Sequence, residues 1–449
     1  MFGLNSGKAR AAIVAGMVSL SLAGCGMNPA QIITQAAQAA AESEPSAQVV
    51  TSSQTNASTN DADATTLVTA ANTSTSGAMD TSDLFTDRDL EQTADLTDAT
   101  SIALKSGEDV SITSEGTYVL SGTATNVTIT VNVDSSEKVQ LVLNGVSITN
   151  DDSAAIYVVS ADKVFVTTAK GTTNILSVTG TFAADGTTNV DAVVFSKDDL
   201  VLNGLGTLQI GSTNNGVSCK DDLKVTGGTY VIECQADALE ANDNVLVADG
   251  DFTITSNKDA IHAENDEDAT TGNVYIAGGT FNLTAASDGI QATCVAQIDG
   301  GTFAISASEG IEGTYVQVNG GAIDINASDD GINATYKSNV STPTLEILGG
   351  ELTITMAAGD TDALDSNGSL YISGGTVAIS AQSAFDYDGA GELTGGTVTV
   401  NGEEVTALTN SMMGGGMGGH MGGGQGGTRG DFSGMGGDFS SGMGTSMRG

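Results

Sequence analysis

Short alternating runs dominate the middle of the chain. Phe281, Leu283 and Ala285 share one face of their segment, as do Phe303, Ile305 and Ala307, and Val316 and Val318 alternate with Gln317. A period of two places side chains on opposite faces of a strand, so these segments predict β-structure and exclude helices.

The runs are copies of one unit. Its first marker is an acid followed by a small residue and an aliphatic. It stands at Asp237-Ala238-Leu239, Asp259-Ala260-Ile261, Asp288-Gly289-Ile290, Glu309-Gly310-Ile311, Asp330-Gly331-Ile332 and Asp362-Ala363-Leu364, with weaker copies at Asp191 and Asn215. A Gly-Gly marker alternates with it, at Gly227-Gly228, Gly278-Gly279, Gly300-Gly301, Gly320-Gly321, Gly349-Gly350, Gly374-Gly375 and Gly395-Gly396. The first marker recurs every 21 to 22 residues, with occasional insertions. A fixed short period is the signature of a solenoid. Each unit has room for three short strands, and Gly-Gly supplies the positive-φ residue that a sharp corner needs. The leucine-rich consensus and the helical period are both absent, and a propeller period is twice too long. The expected fold is therefore all-β, a parallel β-helix with coils of about 21–22 residues.

Composition narrows the chemistry. The 449 residues carry 55 acids against 14 bases, a formal charge of −41. Such a surface repels phosphate, which excludes a nucleic-acid partner, and it is not drawn to anionic lipid. The 59 glycines show no collagen triplet.

The first 24 residues read as an export signal. Lys8 and Arg10 precede the apolar stretch Ala11 to Ala23, too short to span a bilayer. Leu22-Ala23-Gly24-Cys25 resembles the lipobox of bacterial lipoproteins, which implies cleavage before Cys25 and a lipid on its thiol. The anchor would be the protein's one membrane contact and would hold it on the outer face of the cell membrane. Residues 25–80, rich in Ala, Ser and Thr, predict a flexible tether. Residues 81–402 form the expected β-helix, and 403–449 a disordered Gly/Met-rich tail. Cys219 and Cys234 fall on inward positions of non-equivalent sites, and buried free thiols are expected rather than a disulfide.

The register creates the chemistry. Equivalent residues of stacked coils lie about 4.8 Å apart. Asp237, Asp259, Asp288, Glu309, Asp330 and Asp362 thus form one column, and Glu240, His262, Gln291, Glu312, Asn333 and Asp365 a second. A further acidic set comprises Asp198-Asp199, Asp221-Asp222, Asp243 and Asp266. Stacked carboxylates repel unless protons or a cation bridge them. Calcium, which takes six to eight oxygens, is the natural bridge. Zinc is disfavoured by the scarcity of His and the lack of a Cys/His cluster. The expected ligands are Asp237, Glu240, Asp243, Asp259, Asp266, Asp288, Glu309, Glu312, Asp330, Asn333, Asp362 and Asp365. The competing reading is a solvated acidic face, with Asp chosen for its turn chemistry.

Insertions at Glu264 to Asn273 and Tyr336 to Thr344 enlarge the same turn three coils apart, and such loops commonly wall a binding groove. Tyr315 and Tyr336, expected in equivalent positions, are candidates to stack on sugar rings. A uronate lyase would need a lysine base, with Lys197 and Lys220 the candidates, but no catalytic set can be named. A surface adhesin without a glycan site is a third possibility.

The stretch from about Leu84 to Gly402 resembles bacterial cell-surface carbohydrate-binding β-helix proteins of cellulolytic clostridia. The likeness rests on Leu84-Phe85-Thr86-Asp87-Arg88-Asp89-Leu90, on Val139-Gln140-Leu141-Val142-Leu143-Asn144-Gly145-Val146 and on the repeats. It implies a right-handed parallel β-helix, bound calcium, and binding of cellulose-like or pectin-like polysaccharide from plant or bacterial walls. It also implies a fold similar to family-nine pectate lyases. The expected protein is a monomeric, non-catalytic, calcium-dependent polysaccharide-binding lipoprotein.

Overall fold

The computed structural model describes residues 77–410, apart from 184, 185, 187, 266, 267, 269, 340 and 360. Cys25, the tether to residue 76, Asp266 and the chain beyond 410 lie outside the described residues.

The described residues form 34 strands and no helix. Strands pair in parallel with their counterparts one coil away, giving three long sheet faces around one core. The aliphatic of the first marker stacks inward through Val217, Leu239, Ile261, Ile290, Ile311, Ile332, Leu364 and Phe385. On a second face the residues after Gly-Gly build an aromatic stack, Tyr230–Phe252–Phe281–Phe303. Its ring centroids are 5.2, 4.7 and 4.5 Å apart. That spacing equals the strand spacing, so each coil supplies one ring to the next. Strands such as Thr280–Ala285 and Thr302–Ala307 alternate exposed and buried, as their sequence pattern predicts.

The corners follow the glycines. The second glycine of each Gly-Gly marker among the described residues has positive φ, from 78° at Gly396 to 111° at Gly279. Gly289, Gly310 and Gly331 serve differently. A Cβ at each would lie 2.3–2.6 Å from the carbonyl oxygen of the neighbouring coil, so a side chain at these three positions would force the backbones apart.

The third face is covered. Solenoid strands begin at Thr100, not at 81. Residues 77–98 instead run as a strap across the outward side of the strands from Lys163–Thr168 to the second half of Glu309–Val318. Gly77 packs on the Tyr315 ring, and the Met79 N–H donates to Gln297 Oε1 at 2.9 Å. Lys224 Nζ donates to the Leu84 carbonyl at 2.8 Å, and Arg88 lies 4.5 Å over Phe165. Asp89, fully buried, meets Lys163 at 3.2 Å and Lys224 at 4.0 Å. The strap exists because this face carries outward Phe165, Tyr275 and Tyr315, which need cover. At the far end Glu403–Val405 pairs antiparallel with Thr397–Val400, and Leu408 is buried. Ordered chain thus extends past the expected boundary at 402, because a terminal coil needs a cap over its open edge.

Candidate functional site

The first-marker acids and the polar column lie on one face, carried by short strands such as Leu239–Ala241, Ile261–Ala263 and Ile332–Ala334. Their register is vertical: Glu240 pairs with His262, His262 with Gln291, Gln291 with Glu312, Glu312 with Asn333, and Asn333 with Asp365.

The first column has a structural task as well. Asp237 Oδ1 accepts the Asp259 N–H at 3.0 Å, and Asp259 Oδ1 accepts the Asp288 N–H at 2.9 Å. Asp330 Oδ1 likewise accepts the Asp362 N–H at 3.0 Å. In these three aspartates one carboxylate oxygen satisfies the amide of the first-marker residue on the next coil. Glu309 breaks the series. Its Oε2 accepts from Asn333 Nδ2 at 3.0 Å instead.

Three groups of ligand atoms, each within 4.8 Å of one another, result: Asp221, Asp222 and Asp243; Asp237, Asp259 and His262; and Asp288, Glu309 and Glu312. The first stacks Asp243 on Asp221 and Asp222 one coil away, as the further acidic set anticipates, and adds those two to the expected ligand Asp243. Asp222 and Asp243 each accept an amide N–H at 2.7 Å, from Asn244 and Asn265. Burial and the neighbouring Asp199, Asp243 and Asp222 carboxylates push Asp221 up to about 6. In the third group burial and the carboxylates of Asp259, Glu312 and Glu309 push Asp288 up to about 8. Burial and Glu312 raise Glu309 to about 7. Further along, burial is the main cause that takes Asp330 to about 6 and Asp365 to about 7, the latter helped by Asp330 and Asp386. Glu240 stands apart from these groups, held by Asn215 Nδ2 at 2.7 Å and Lys220 at 3.8 Å. Asp362 accepts from the Ser383 hydroxyl.

Lys337 escapes sequence reasoning. It lies in the second insertion, outside the repeat, and its Nζ reaches Glu312 Oε2 at 2.6 Å. Lys337 and Ser338 are held there by their N–H groups, which donate to Thr314 Oγ1 at 3.1 and 2.8 Å. The two insertions do meet. Glu264, Asn265, Thr293 and residues 336–339 line one groove of about 400 Å³.

The two tyrosines part company. Tyr336 is 65% exposed at the groove. Tyr315 is buried under the strap and donates its hydroxyl to Glu346 Oε2 at 2.5 Å, so it is closed to a sugar. Their expected equivalence fails because the insertion begins before the next strand: Tyr315 pairs with Thr344. Cys219 and Cys234 are buried free thiols, and Cys294 is buried as well.

The sequence model of the carbohydrate-binding domain-containing protein family matches residues 106–340 and again 308–404. The chain belongs to this carbohydrate-binding domain family. A carbohydrate-binding domain-containing protein of Acetivibrio thermocellus is 36% identical over 131 residues, 28% of this chain and 46% of that relative. The chain therefore spans about half the length of the curated relative it matches. A solved structure of a polysaccharide lyase-like protein from C. thermocellum, in a gadolinium derivative, is similar at 25% identity with a TM-score of 0.32. That match covers 67% of this chain and 96% of the other.

Proposed function

We propose that this carbohydrate-binding family member is a calcium-dependent, non-catalytic polysaccharide-binding protein, exported and held at the outer face of the cell membrane by a lipid on Cys25. The observation that carries the glycan reading, beyond the family itself, is the join between acid cluster and groove. Lys337 lines the groove and also contacts Glu312. Exposed Tyr336 offers the groove a ring on which a sugar stacks.

The residues fit calcium. The Asp288, Glu309 and Glu312 group and the Asp221, Asp222 and Asp243 group each offer oxygens alone, the donor set of a hard cation. Asn333 Oδ1 is buried without a hydrogen-bond partner beside Glu309. The raised carboxyl values of Asp288 and Glu309, caused by burial and neighbouring carboxylates, support this reading. When bound, calcium supplies positive charge at the groove edge, suited to cellulose-like hydroxyls or to the carboxylates of acidic pectin-like glycans. Lys337 and Tyr336 then orient the chain. The lyase candidates Lys197 and Lys220 each sit 5.6 Å over a ring, of Tyr157 and Phe195, and both are engaged there.

Retention on cellulose and on polygalacturonate beads, with calcium and with chelator, tests the proposal. Calcium-dependent retention on at least one glycan, lost in Tyr336→Ala, is expected. Passage through every glycan in calcium overturns it, and unsaturated product released from polygalacturonate overturns its non-catalytic part.

A further inference from the structure

The Asp237, Asp259 and His262 group differs from the other two in its donors. We propose that it binds a first-row transition-metal ion of the zinc class, through one oxygen of each aspartate and the Nδ1 of His262, separately from calcium.

Each aspartate has one oxygen committed and one directed at the histidine. Oδ1 of both accepts a corner amide. Oδ2 of Asp237 lies 3.6 Å from His262 Nδ1, and Oδ2 of Asp259 lies 3.7 Å from it. Those separations exceed a hydrogen bond. They suit two ligands on one ion instead: bonds of about 2.1 Å at a tetrahedral angle set donors about 3.4 Å apart. His262 is 8% exposed, and its Nδ1 has no hydrogen-bond partner although it is buried. An orphaned ring nitrogen aimed between two carboxylates is a vacancy of chemistry that a cation answers.

The other ring nitrogen is handled as a metal-bound histidine requires. Glu264 Oε2 lies 3.4 Å from Nε2. A carboxylate there holds the proton on Nε2, turns the Nδ1 lone pair toward the aspartates and fixes the ring. The remaining neighbours leave room in charge. Lys258, largely exposed, approaches Asp237 Oδ2 at 3.6 Å. Gln291, oriented to satisfy its amide, donates to Asp259 Oδ2 at 3.1 Å and to Asp288 Oδ2 at 3.3 Å. Three carboxylates thus face one ammonium before the histidine is counted. This excess of negative charge around a buried, unpartnered ring nitrogen is what a bound divalent ion would offset. Imidazole nitrogen with two carboxylates selects zinc-class ions, whereas calcium prefers oxygen throughout.

The chain has two histidines, so a histidine-bound probe is easily assigned. The whole protein, stripped with chelator and re-equilibrated in excess calcium, is titrated with cobalt(II) alone. One cobalt per chain is expected, with visible d–d absorption that zinc abolishes. His262→Gln should lower cobalt affinity about 100-fold, and Glu264→Gln about 10–100-fold, while calcium content stays unchanged. His420→Gln should change nothing. The absence of cobalt uptake in calcium, or uptake that His262→Gln leaves intact, overturns the proposal. Should His262→Gln fail to fold, Glu264→Gln decides, and undiminished affinity there overturns it equally. Glycan retention in calcium is read in parallel, so failure of the cobalt site and failure of the polysaccharide proposal are told apart.

Discussion

Stripping calcium should give the protein a stability that falls as pH rises, opposite to ordinary acid denaturation. Without metal, Asp288 titrates near 8 and Glu309 near 7, against about 4 in the unfolded chain. A carboxyl whose folded value is raised binds its proton more tightly when folded. Its stabilisation is complete below the unfolded value and is lost as pH climbs through the folded one. The two groups face each other across one coil step, so the safe count is one shared proton. Between pH 5 and pH 8 one proton amounts to about 4 kcal/mol. For a domain of this size that lowers the melting temperature by on the order of 5 °C or more. Circular dichroism melts in chelator at pH 5 and pH 8 provide the assay, repeated in calcium, where the difference should largely vanish. Equal chelated melting temperatures at the two pH values would refute the reasoning, since the stacked carboxyls would then carry no mutual repulsion.

Other outcomes follow from single contacts. Asp89→Ala removes the buried carboxylate shared by Lys163 and Lys224, leaving them Asp199 at 3.4 Å and Asp222 at 3.7 Å, which should cost about 1.5–3 kcal/mol and expose residues 77–98 to limited proteolysis. Thr86 and Lys163 hold the Asp89 carboxyl below its usual range despite burial, so strap attachment should weaken only as acid approaches that range. Phe281→Ala interrupts the aromatic stack at its centre and should cost about 3–5 kcal/mol in urea unfolding. Cys219 and Cys234 should ignore a thiol reagent until denaturant is added. Burial raises both thiols, Cys234 to about 12.

Much of the fold was legible because a solenoid writes its geometry into its period. Asp330-Gly331-Ile332 carries three facts in three letters: the acid accepts the amide of the next coil, the glycine lets coils touch, and the isoleucine points inward. The alignment of Glu312 over Gln291 followed from counting alone. What stayed hidden lies outside the repeat. Lys337 and Tyr336 sit in an insertion whose path no period dictates, which is also why Tyr315 and Tyr336 lost their expected equivalence. The strap was hidden for another reason. Leu84 to Leu90 marked the family likeness, yet nothing local in those residues says that they lie along a face formed by residues 163 to 317. Asp221, Asp222 and Asp243, one period apart, were legible as a set, although Asp243 alone of the three stood among the expected ligands.

The central claim is that register turns scattered acids into cation sites. Counting calcium in the stripped and reloaded protein by elemental analysis tests it most directly. At least two ions per chain are predicted, with one lost when Glu309 and Glu312 are both changed to Gln. A chain that takes up no calcium, or a variant that keeps every ion, would contradict the account.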